Sequence, residues 1–406
     1  MLLGFNYPHS YNRYGADIGP NPHCPLKQWQ TEKQLTGSGQ IAKVPPAPLF
    51  DHLRRNLDNL KKMKIEVVRF FLLGNGFNWE GTGPFPRPPG PPSLLPYHDW
   101  EFTPSLRLDP RFTLHFEQLL KAFREAGLLI IPSFVDFYFT GKSRSLDDKG
   151  LAPSGRADCI KDDVKRHKFL YTVLLPLVEV AAKYREQIYA FEVINEPYWC
   201  YSPIGPLSNV KDEEMKAARK ANPDTFVGMA RRPEVTEDEM NRFIGEALEV
   251  IDSVDLHSTV GHRFYQDLTM RESLSWRSIS PPSSYKYYLG TKPQFHYYTK
   301  YSGGWGDPPQ IKGAGLFGPA KFPKPFLGEF DSARNAFGKP WPELPGDKDT
   351  TLNRIKVIER EGCELAMLWP DQAELDGAKP DRIKLALPTR EAIVKYTGGV
   401  LPPTDE

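Results

Sequence analysis

The sequence predicts an α/β fold, a (β/α)8 TIM barrel with long Pro-rich and aromatic-rich loops at its C-terminal face. Short apolar runs alternate with longer amphipathic stretches, which is the pattern of a parallel sheet joined by crossover helices. Eight such runs and at least six crossover helices can be recognised. An open doubly wound sheet is the alternative, but the chain lacks the glycine-rich first turn that this fold usually carries.

Eight segments are predicted to be strands because each is a short apolar run bounded by polar or turn-forming residues. Leu128–Phe134 is typical of a strand that is buried on both faces, as parallel barrel strands are. In chain order the predicted strands are Leu2–Tyr7, Val67–Leu72, Leu128–Phe134, Ile188–Ile194, Ser258–His262, Gln294–Tyr298, Pro325–Phe330 and Glu364–Leu368.

The predicted helices lie between these strands and carry apolar residues at helical spacing, with charged residues on the opposite face. Gly127 is expected to end the second helix, and Thr236 is a candidate N-cap of the fourth. Five of the predicted helices can be given bounds, which in chain order are Leu49–Met63, Phe112–Ala126, Lys161–Tyr184, Glu237–Ile251 and Leu352–Glu361.

The composition indicates one soluble domain and excludes several classes of function. No change in composition marks a boundary, so we predict a single catalytic domain over residues 1–406, with the barrel over residues 1–370 and a C-terminal helix and tail over residues 371–406. The net charge of +1 gives no global attraction to nucleic acid or to an anionic membrane surface. No apolar run approaches the roughly 20 residues that span a membrane.

Motifs for cofactors and for targeting are also missing from the sequence. The four cysteines are scattered and show no metal-ligand spacing, so neither a metal nor an organic cofactor is predicted. Residues 81–84 resemble a phosphate-binding loop only in their glycines, because the lysine and the following helix are absent. The chain begins directly with a strand and shows no signal peptide, so we expect a cytoplasmic protein.

Candidate functional residues follow from the fold, because the active sites of such barrels lie at the C-terminal ends of the strands. Polar and aromatic side chains occupy those ends or the loop that follows, and the set is Arg69, Asp136, Asn195, Glu196, Trp199, His262, His296, Tyr298, Glu329 and Trp369. Two of them, Glu196 and Glu329, are carboxylates at the ends of opposite strands. One protonated and one ionised carboxyl group can together cleave a glycosidic bond.

Two buried charges are predicted to need partners. Arg69 stands between Val68 and Phe70, where an uncompensated charge is costly, and Glu329 is the expected partner. Glu192 shares the face of its strand with Glu196 and is expected to pair with a cation deeper in the barrel.

With these residues in this strand order, the sequence resembles the clan A glycoside hydrolases, the cellulase-like barrels, and glycoside hydrolase family 5 most of all. The resemblance rests on Asn195-Glu196-Pro197 after the fourth strand and on Glu329 after the seventh. It implies that Glu196 is the general acid/base and Glu329 the nucleophile. One departure is the residue after the third strand, where the family usually has a histidine and this chain has Asp136.

The same resemblance implies roles for the supporting residues. Asn195 would bind the sugar 2-hydroxyl, while Arg69 and Tyr298 would orient the nucleophile. His296 matches the first residue of the family's His-x-Tyr, and Trp369 would form the platform under the sugar.

The resemblance therefore implies a retaining β-glycoside hydrolase acting by double displacement on an oligosaccharide or glycoside, exo-acting on β-mannosides or β-glucosides. An endo-acting glucanase or mannanase, a transglycosylase and an inverting hydrolase would use the same pair of carboxylates. A non-catalytic carbohydrate-binding barrel is the alternative from another class. Taken singly, each residue also has a structural explanation: Glu329 could be a salt-bridge partner, His296 a barrel histidine, and Trp199 or Trp369 a packing residue.

Overall fold

The computed structural model describes residues 1–7, 48–73, 108, 110–140, 144–145, 151–152, 157–201, 235–262, 289–297, 326–333, 350–360, 362–371, 383 and 385–403. Within these ranges, eight parallel strands close into a barrel in the order β1-β8-β7-β6-β5-β4-β3-β2. The strands are β1 (Leu2–Tyr7), β2 (Val67–Phe71), β3 (Leu129–Asp136), β4 (Phe191–Asn195), β5 (Ser258–His262), β6 (Gln294–Tyr297), β7 (Phe326–Phe330) and β8 (Leu365–Leu368). Every strand pairs with its sequence neighbours, and β8 closes the barrel on β1, so the predicted (β/α)8 fold is confirmed.

The helices surround the barrel, and the larger hydrophobic core lies between the helices and the outer faces of the strands. Val68 and Phe70 on β2, for example, belong to one cluster with Leu57 and Leu60. In chain order the helices are α1 (Pro48–Lys62), α2 (Pro110–Ala126), α3 (Asp158–Lys161), α4 (Asp163–Phe169), α5 (Leu175–Ala182), α6 (Tyr198–Tyr201), α7 (Glu237–Asp252), α8 (Thr351–Arg360) and α9 (Leu387–Thr397). None of the helices in these described ranges is both long and apolar enough to cross a bilayer.

The inside of the barrel changes from apolar to polar along the strands. A second, smaller cluster is formed mainly by residues at the beginnings of the strands: Val67, Ile131, Tyr189, Ala190, Phe326, Leu365 and Met367. Side chains alternate between the two faces of a strand, so Arg69 shares the inward face of β2 with Val67. This second cluster, the barrel plug, therefore closes one end of the barrel. Polar side chains fill the layer next to it, toward the C-terminal ends of the strands.

The third predicted helix, Lys161–Tyr184, is wrong as a single element. The structure divides it into α4, a π-helical stretch (Leu170–Leu174) and α5. Pro176 explains the break, because it has no N–H to donate to Thr172 O four residues earlier. That carbonyl instead accepts the backbone N–H of Leu108 at 3.3 Å.

The other element predictions differ from the structure by at most two residues at each end, except at the start of β4. β3 extends to Asp136, two residues beyond the predicted strand, and β4 begins three residues later than predicted and ends at Asn195. The predicted cap of α7 is confirmed as a capping box, in which Thr236 Oγ1 accepts from Glu239 N and Glu239 accepts from Thr236 N. The C-terminal helix α9 returns to the barrel, where Thr397 Oγ1 donates to Met63 O at 2.8 Å.

Candidate active site

The strand register places the polar side chains next to one another before any loop is considered. Asn6 on β1 pairs with Arg69 on β2, and Ser133 on β3 pairs with Glu192 on β4. His296 on β6 pairs with Glu329 on β7, at a point where the register of the two strands shifts. Because all the strands run in one direction, these residues meet inside the barrel toward its C-terminal end.

Arg69 lies at the centre of this arrangement and is fully buried. Its Nη1 donates to Glu329 Oε1 at 2.5 Å, as the sequence predicts, and to Asn6 Oδ1 at 3.0 Å. Its Nε and Nη2 donate to the two oxygens of Glu192, each at 2.7 Å, and Nη2 also donates to Asn195 Oδ1 at 2.6 Å. The cation predicted for Glu192 is therefore Arg69 itself.

The charge of Arg69 is secured by its acidic neighbours. Burial acts to lower the pKa of the guanidinium, but the charges and hydrogen bonds of Glu192 and Glu329 outweigh it and raise the pKa above its ordinary value. Arg69 therefore remains a cation, and it lies beside Glu329 at all working pH values.

Glu196 follows β4 in a strained backbone conformation. Its φ of 48° lies in the left-handed region, which residues with a side chain rarely adopt and which costs on the order of 1 kcal/mol or more. The conformation is held on both sides, because Glu196 N donates to Gly261 O at 2.7 Å and Glu196 O accepts from Trp199 N at 3.1 Å. Strain of this kind is typical of functional positions, where it directs a side chain toward a site.

Both carboxylate oxygens of Glu196 have nitrogen partners. Oε1 lies 2.9 Å from His296 Nδ1, and Oε2 accepts the indole N–H of Trp199 at 2.6 Å. The same His296 Nδ1 is 3.4 Å from Glu329 Oε2, so the imidazole stands between the two glutamates. Trp199, predicted as a sugar-binding residue, thus contacts the candidate acid/base directly.

The two glutamates and His296 form a compact, buried group. One oxygen of each carboxylate and one nitrogen of His296 all lie within 4.8 Å of one another. Among the described residues this group is the one whose spacing could hold a metal ion.

Asp136 and Asn195 form a second polar pair at the ends of β3 and β4. Asn195 Nδ2 donates to Asp136 Oδ2 at 2.7 Å, while its Oδ1 accepts from Arg69. These two bonds fix which side of the amide is the donor. Asp136 is thus a neighbour of Asn195 in the buried layer.

Two further predicted residues lie at strand ends, and one lies outside the described ranges. His262 is buried at the end of β5. Trp369 follows β8, is partly exposed, and its ring meets that of Phe71 edge-on with centroids 6.3 Å apart. Tyr298 lies outside the described residues, so its predicted contact with Glu329 stays a prediction.

Three residues of the site were not found from the sequence. Asn6 contacts Arg69 and donates from Nδ2 to the carbonyls of Gly328, Met367 and Leu368, which ties β1 to β7 and β8. Ser133 and Gln294 each donate to Glu192. Strand alternation was the available signal. Each of the three side chains lies on the inward face of its strand, either on the same strand as an apolar residue of the barrel plug or next to such a residue on a neighbouring strand.

Comparison with known proteins shows the fold. Neither the family models nor the curated proteins gave a match to the sequence. A β-1,4-mannanase from the common sea hare Aplysia kurodai superposes with a TM-score of 0.58 at 16% identity, over 100% of this chain and 95% of that one. The β-mannanase of the blue mussel Mytilus edulis gives 0.56 at 14% identity, over 99% and 94% of the two chains.

An exo-β-1,4-mannosidase from Opitutaceae bacterium strain TAV5 gives a TM-score of 0.50 at 13% identity, over 98% of this chain and 59% of that one. The predicted resemblance to cellulase-like glycoside hydrolase barrels is therefore confirmed at the level of the fold.

The buried charges predict a large effect of replacing Arg69. Arg69→Met should lower the free energy of unfolding by about 3–5 kcal/mol at neutral pH, because Glu192 and Glu329 lose their buried cation. The loss should shrink as the pH falls, since protonation of the carboxyl groups removes the unpaired charges. Denaturant unfolding between pH 5 and 8 measures both effects.

The matched control is the double variant Arg69→Met/Glu192→Met, which removes the cation together with its deepest partner. It should recover much of the lost stability, because apolar side chains then fill the layer. A double variant as unstable as Arg69→Met at every pH would contradict the electrostatic explanation.

Proposed function

We propose that this protein is a retaining β-glycoside hydrolase in which Glu329 is the nucleophile and Glu196 the general acid/base. The observation that carries the proposal is the closeness of the two carboxylates, of which one oxygen each lies within 4.8 Å of the other, beside Arg69 and His296. Retaining enzymes hold their two carboxyl groups about 5–5.5 Å apart, whereas inverting enzymes leave roughly 6.5–9.5 Å for a water molecule. The spacing supports retention.

In the first step Glu329 attacks the anomeric carbon and forms a bond through one carboxylate oxygen. Arg69 holds Oε1 of Glu329, so we assign the attack to the other oxygen, Oε2. At the same time the bond to the leaving oxygen breaks, and Glu196 transfers its proton to that oxygen. Because Oε2 of Glu196 accepts from Trp199, the proton of Glu196 is carried on Oε1.

In the second step water attacks the glycosyl–enzyme ester. Glu196, now ionised, accepts the proton of the water, and Glu329 leaves as a carboxylate with its electron pair. His296 Nδ1 faces Oε1 of Glu196, the same oxygen that gives and regains the proton. We infer that the imidazole keeps this carboxyl group oriented through both steps.

The supporting residues are assigned to substrate binding as part of the proposal. Asn195 presents an amide whose orientation is fixed by Arg69 and Asp136, which suits a hydrogen bond to the sugar 2-hydroxyl. The partly exposed ring of Trp369 suits stacking against a sugar face. His262 and Tyr298 remain proposed contributors to the same pocket.

The proposed substrate is a β-mannoside, with a β-glucoside as the alternative. The support is that the three solved structures described above are two β-mannanases and an exo-β-mannosidase. Exo action was predicted from the Pro-rich loops, which lie outside the described residues. The superposition covers 95% and 94% of the two mannanase chains but 59% of the mannosidase chain. This difference favours endo action as a second candidate.

A substrate panel tests the sugar and the mode of cleavage together. We expect 4-nitrophenyl β-mannoside to be hydrolysed at least about tenfold faster than the β-glucoside and other β-glycosides, because one discriminating polar contact is worth at least that factor. Release of mannose alone from manno-oligosaccharides would indicate exo action, and mixed oligomers endo action. Equal or faster cleavage of the β-glucoside would overturn the mannoside proposal.

Replacing the nucleophile should abolish turnover. Glu329→Gln keeps the shape of the side chain and its hydrogen bond to Arg69 but removes the attacking charge, so kcat should fall by on the order of 10³-fold or more. Activity is measured on the best substrate of the panel, and circular dichroism shows whether the barrel is intact. Near-normal activity of a folded Glu329→Gln protein would exclude Glu329 as nucleophile.

Replacing the acid/base should have an effect that depends on the leaving group. Glu196→Ala should cost about 10²–10⁴-fold on substrates with a poor leaving group, and much less when the leaving group needs no proton. Azide, which attacks without a base, should restore turnover and yield a glycosyl azide of retained configuration. An equal loss on both substrate types, without rescue by azide, would count against this role of Glu196.

A further inference from the structure

Both oxygens of Glu192, an acidic residue of the buried layer, are fully hydrogen-bonded. Its Oε1 accepts from Arg69 Nη2 at 2.7 Å and from Ser133 Oγ at 2.6 Å. Its Oε2 accepts from Arg69 Nε at 2.7 Å and from Gln294 Nε2 at 2.5 Å. Each oxygen thus has two donors, which leaves no place for a proton, and Glu192 is a carboxylate.

The donors of Arg69 are divided unequally between the two acidic partners. A guanidinium has five N–H groups, and the structure gives each an acceptor. Two go to Glu192 in a bidentate pair, one goes to Glu329, and the others go to Asn6 and Asn195. The positive charge of Arg69 is therefore already matched by Glu192 before Glu329 is counted.

This division matters because Glu329 changes its charge during the proposed reaction. In the glycosyl–enzyme intermediate Glu329 is a neutral ester, and Arg69, which is fully buried, loses one of its two anionic partners. A buried cation without a partner is strongly unfavourable. Glu192 keeps Arg69 compensated at that stage, and Glu192 itself takes no part in bond making.

We propose that Glu192 is a positioning residue that shares the charge of Arg69, so that Arg69 orients Glu329 without lowering its nucleophilicity. This inference rests on the proposed function of Glu329. In this arrangement the Glu192–Arg69 pair has almost no net charge and donates one hydrogen bond to Glu329 through Arg69. Without Glu192 the full charge of Arg69 would attract Glu329, stabilise its ionised form and disfavour attack.

A shift in pH dependence follows from this charge sharing. The charged or titratable groups that contact Glu329 in the described part of the chain are Arg69 on β2 and His296 on β6, with Glu196 beside His296. With Glu192 neutralised, Glu329 holds its negative charge to lower pH. The acidic limb of the kcat/KM profile therefore moves to lower pH, by about one unit for a neighbouring charge.

The variants Glu192→Gln and Glu192→Asp separate charge from shape. Glu192→Gln removes the charge and should move the acidic limb down by about one pH unit, while glycosylation slows about tenfold. The readouts are kcat/KM from pH 4 to 8 and the pre-steady-state burst of 2,4-dinitrophenolate from an activated β-mannoside. The burst should disappear in Glu192→Gln, because the intermediate is formed more slowly and broken down faster.

Glu192→Asp retains the charge and should restore the acidic limb of the unaltered protein, even where a shorter side chain lowers kcat. Equal losses in the Gln and Asp variants, with both acidic limbs unmoved, would reduce Glu192 to a structural role and overturn the proposal. An acidic limb that moves to higher pH in Glu192→Gln would overturn it as well.

A second variant covers the case in which Glu192→Gln does not fold. Ser133→Ala removes one hydrogen bond from Glu192 and leaves its carboxylate to interact more strongly with Arg69. Less of the Arg69 charge then reaches Glu329, and the acidic limb should move slightly to higher pH. An unmoved limb, or one moved to lower pH, in folded Ser133→Ala contradicts the proposal.

The failure of the proposed function is detected separately, on the unaltered protein. A 2-deoxy-2-fluoro β-mannosyl fluoride should leave a covalent adduct on Glu329, found by mass spectrometry of peptides. If turnover occurs without such an adduct, the retaining function fails and the inference falls with it. If the adduct forms while the Glu192 variants show unshifted limbs, only the inference fails.

Discussion

The burial of one positive charge, that of Arg69, is the constraint on which the rest of the site depends. A guanidinium that is fully enclosed in a barrel must find an acceptor for each N–H group and a counter-charge close by. Residues from three other strands supply them: Asn6 from β1, Glu192 and Asn195 from β4, and Glu329 from β7. The polar layer thus joins strands that are not neighbours in the sheet, and it holds Glu329 as one consequence of satisfying Arg69.

Two glycines make room for this layer, which shows that its packing is as demanding as its electrostatics. A Cβ at Gly261 would lie 3.1 Å from Arg69 Nη2 and 3.2 Å from Asn195 Cα, so the guanidinium fits where it does because β5 presents bare backbone. A Cβ at Gly328 would overlap Gln294 Oε1, and Gln294 donates to Glu192. The glycine next to Glu329 therefore protects the hydrogen bond between Gln294 on β6 and Glu192 on β4.

The strands were predicted well, and the two candidate glutamates could be selected from the sequence, because both steps depend on local patterns. Apolar runs identify barrel strands, and the rule that active sites lie at strand ends then selects Glu196, Glu329 and Arg69. Asn6, Ser133 and Gln294 could not be assigned in this way, because their importance depends on register across strands, which the sequence does not specify. The contact of Trp199 with Glu196 was missed for a similar reason, since it follows from the left-handed turn at Glu196.

The balance of charge in the layer bears on the proposed reaction as a whole. Asp136, Glu192, Glu196 and Glu329 are all buried there, and Arg69 is the permanent cation among the described residues that contact them. With Arg69 matched by Glu192, the remaining acidic residues give the proposed sugar site a negative potential. Positive charge develops on the sugar ring in an oxocarbenium-like transition state and not in the bound substrate. A negative layer that is already fixed in place therefore stabilises the transition state more than the ground state, and this difference is what accelerates a reaction.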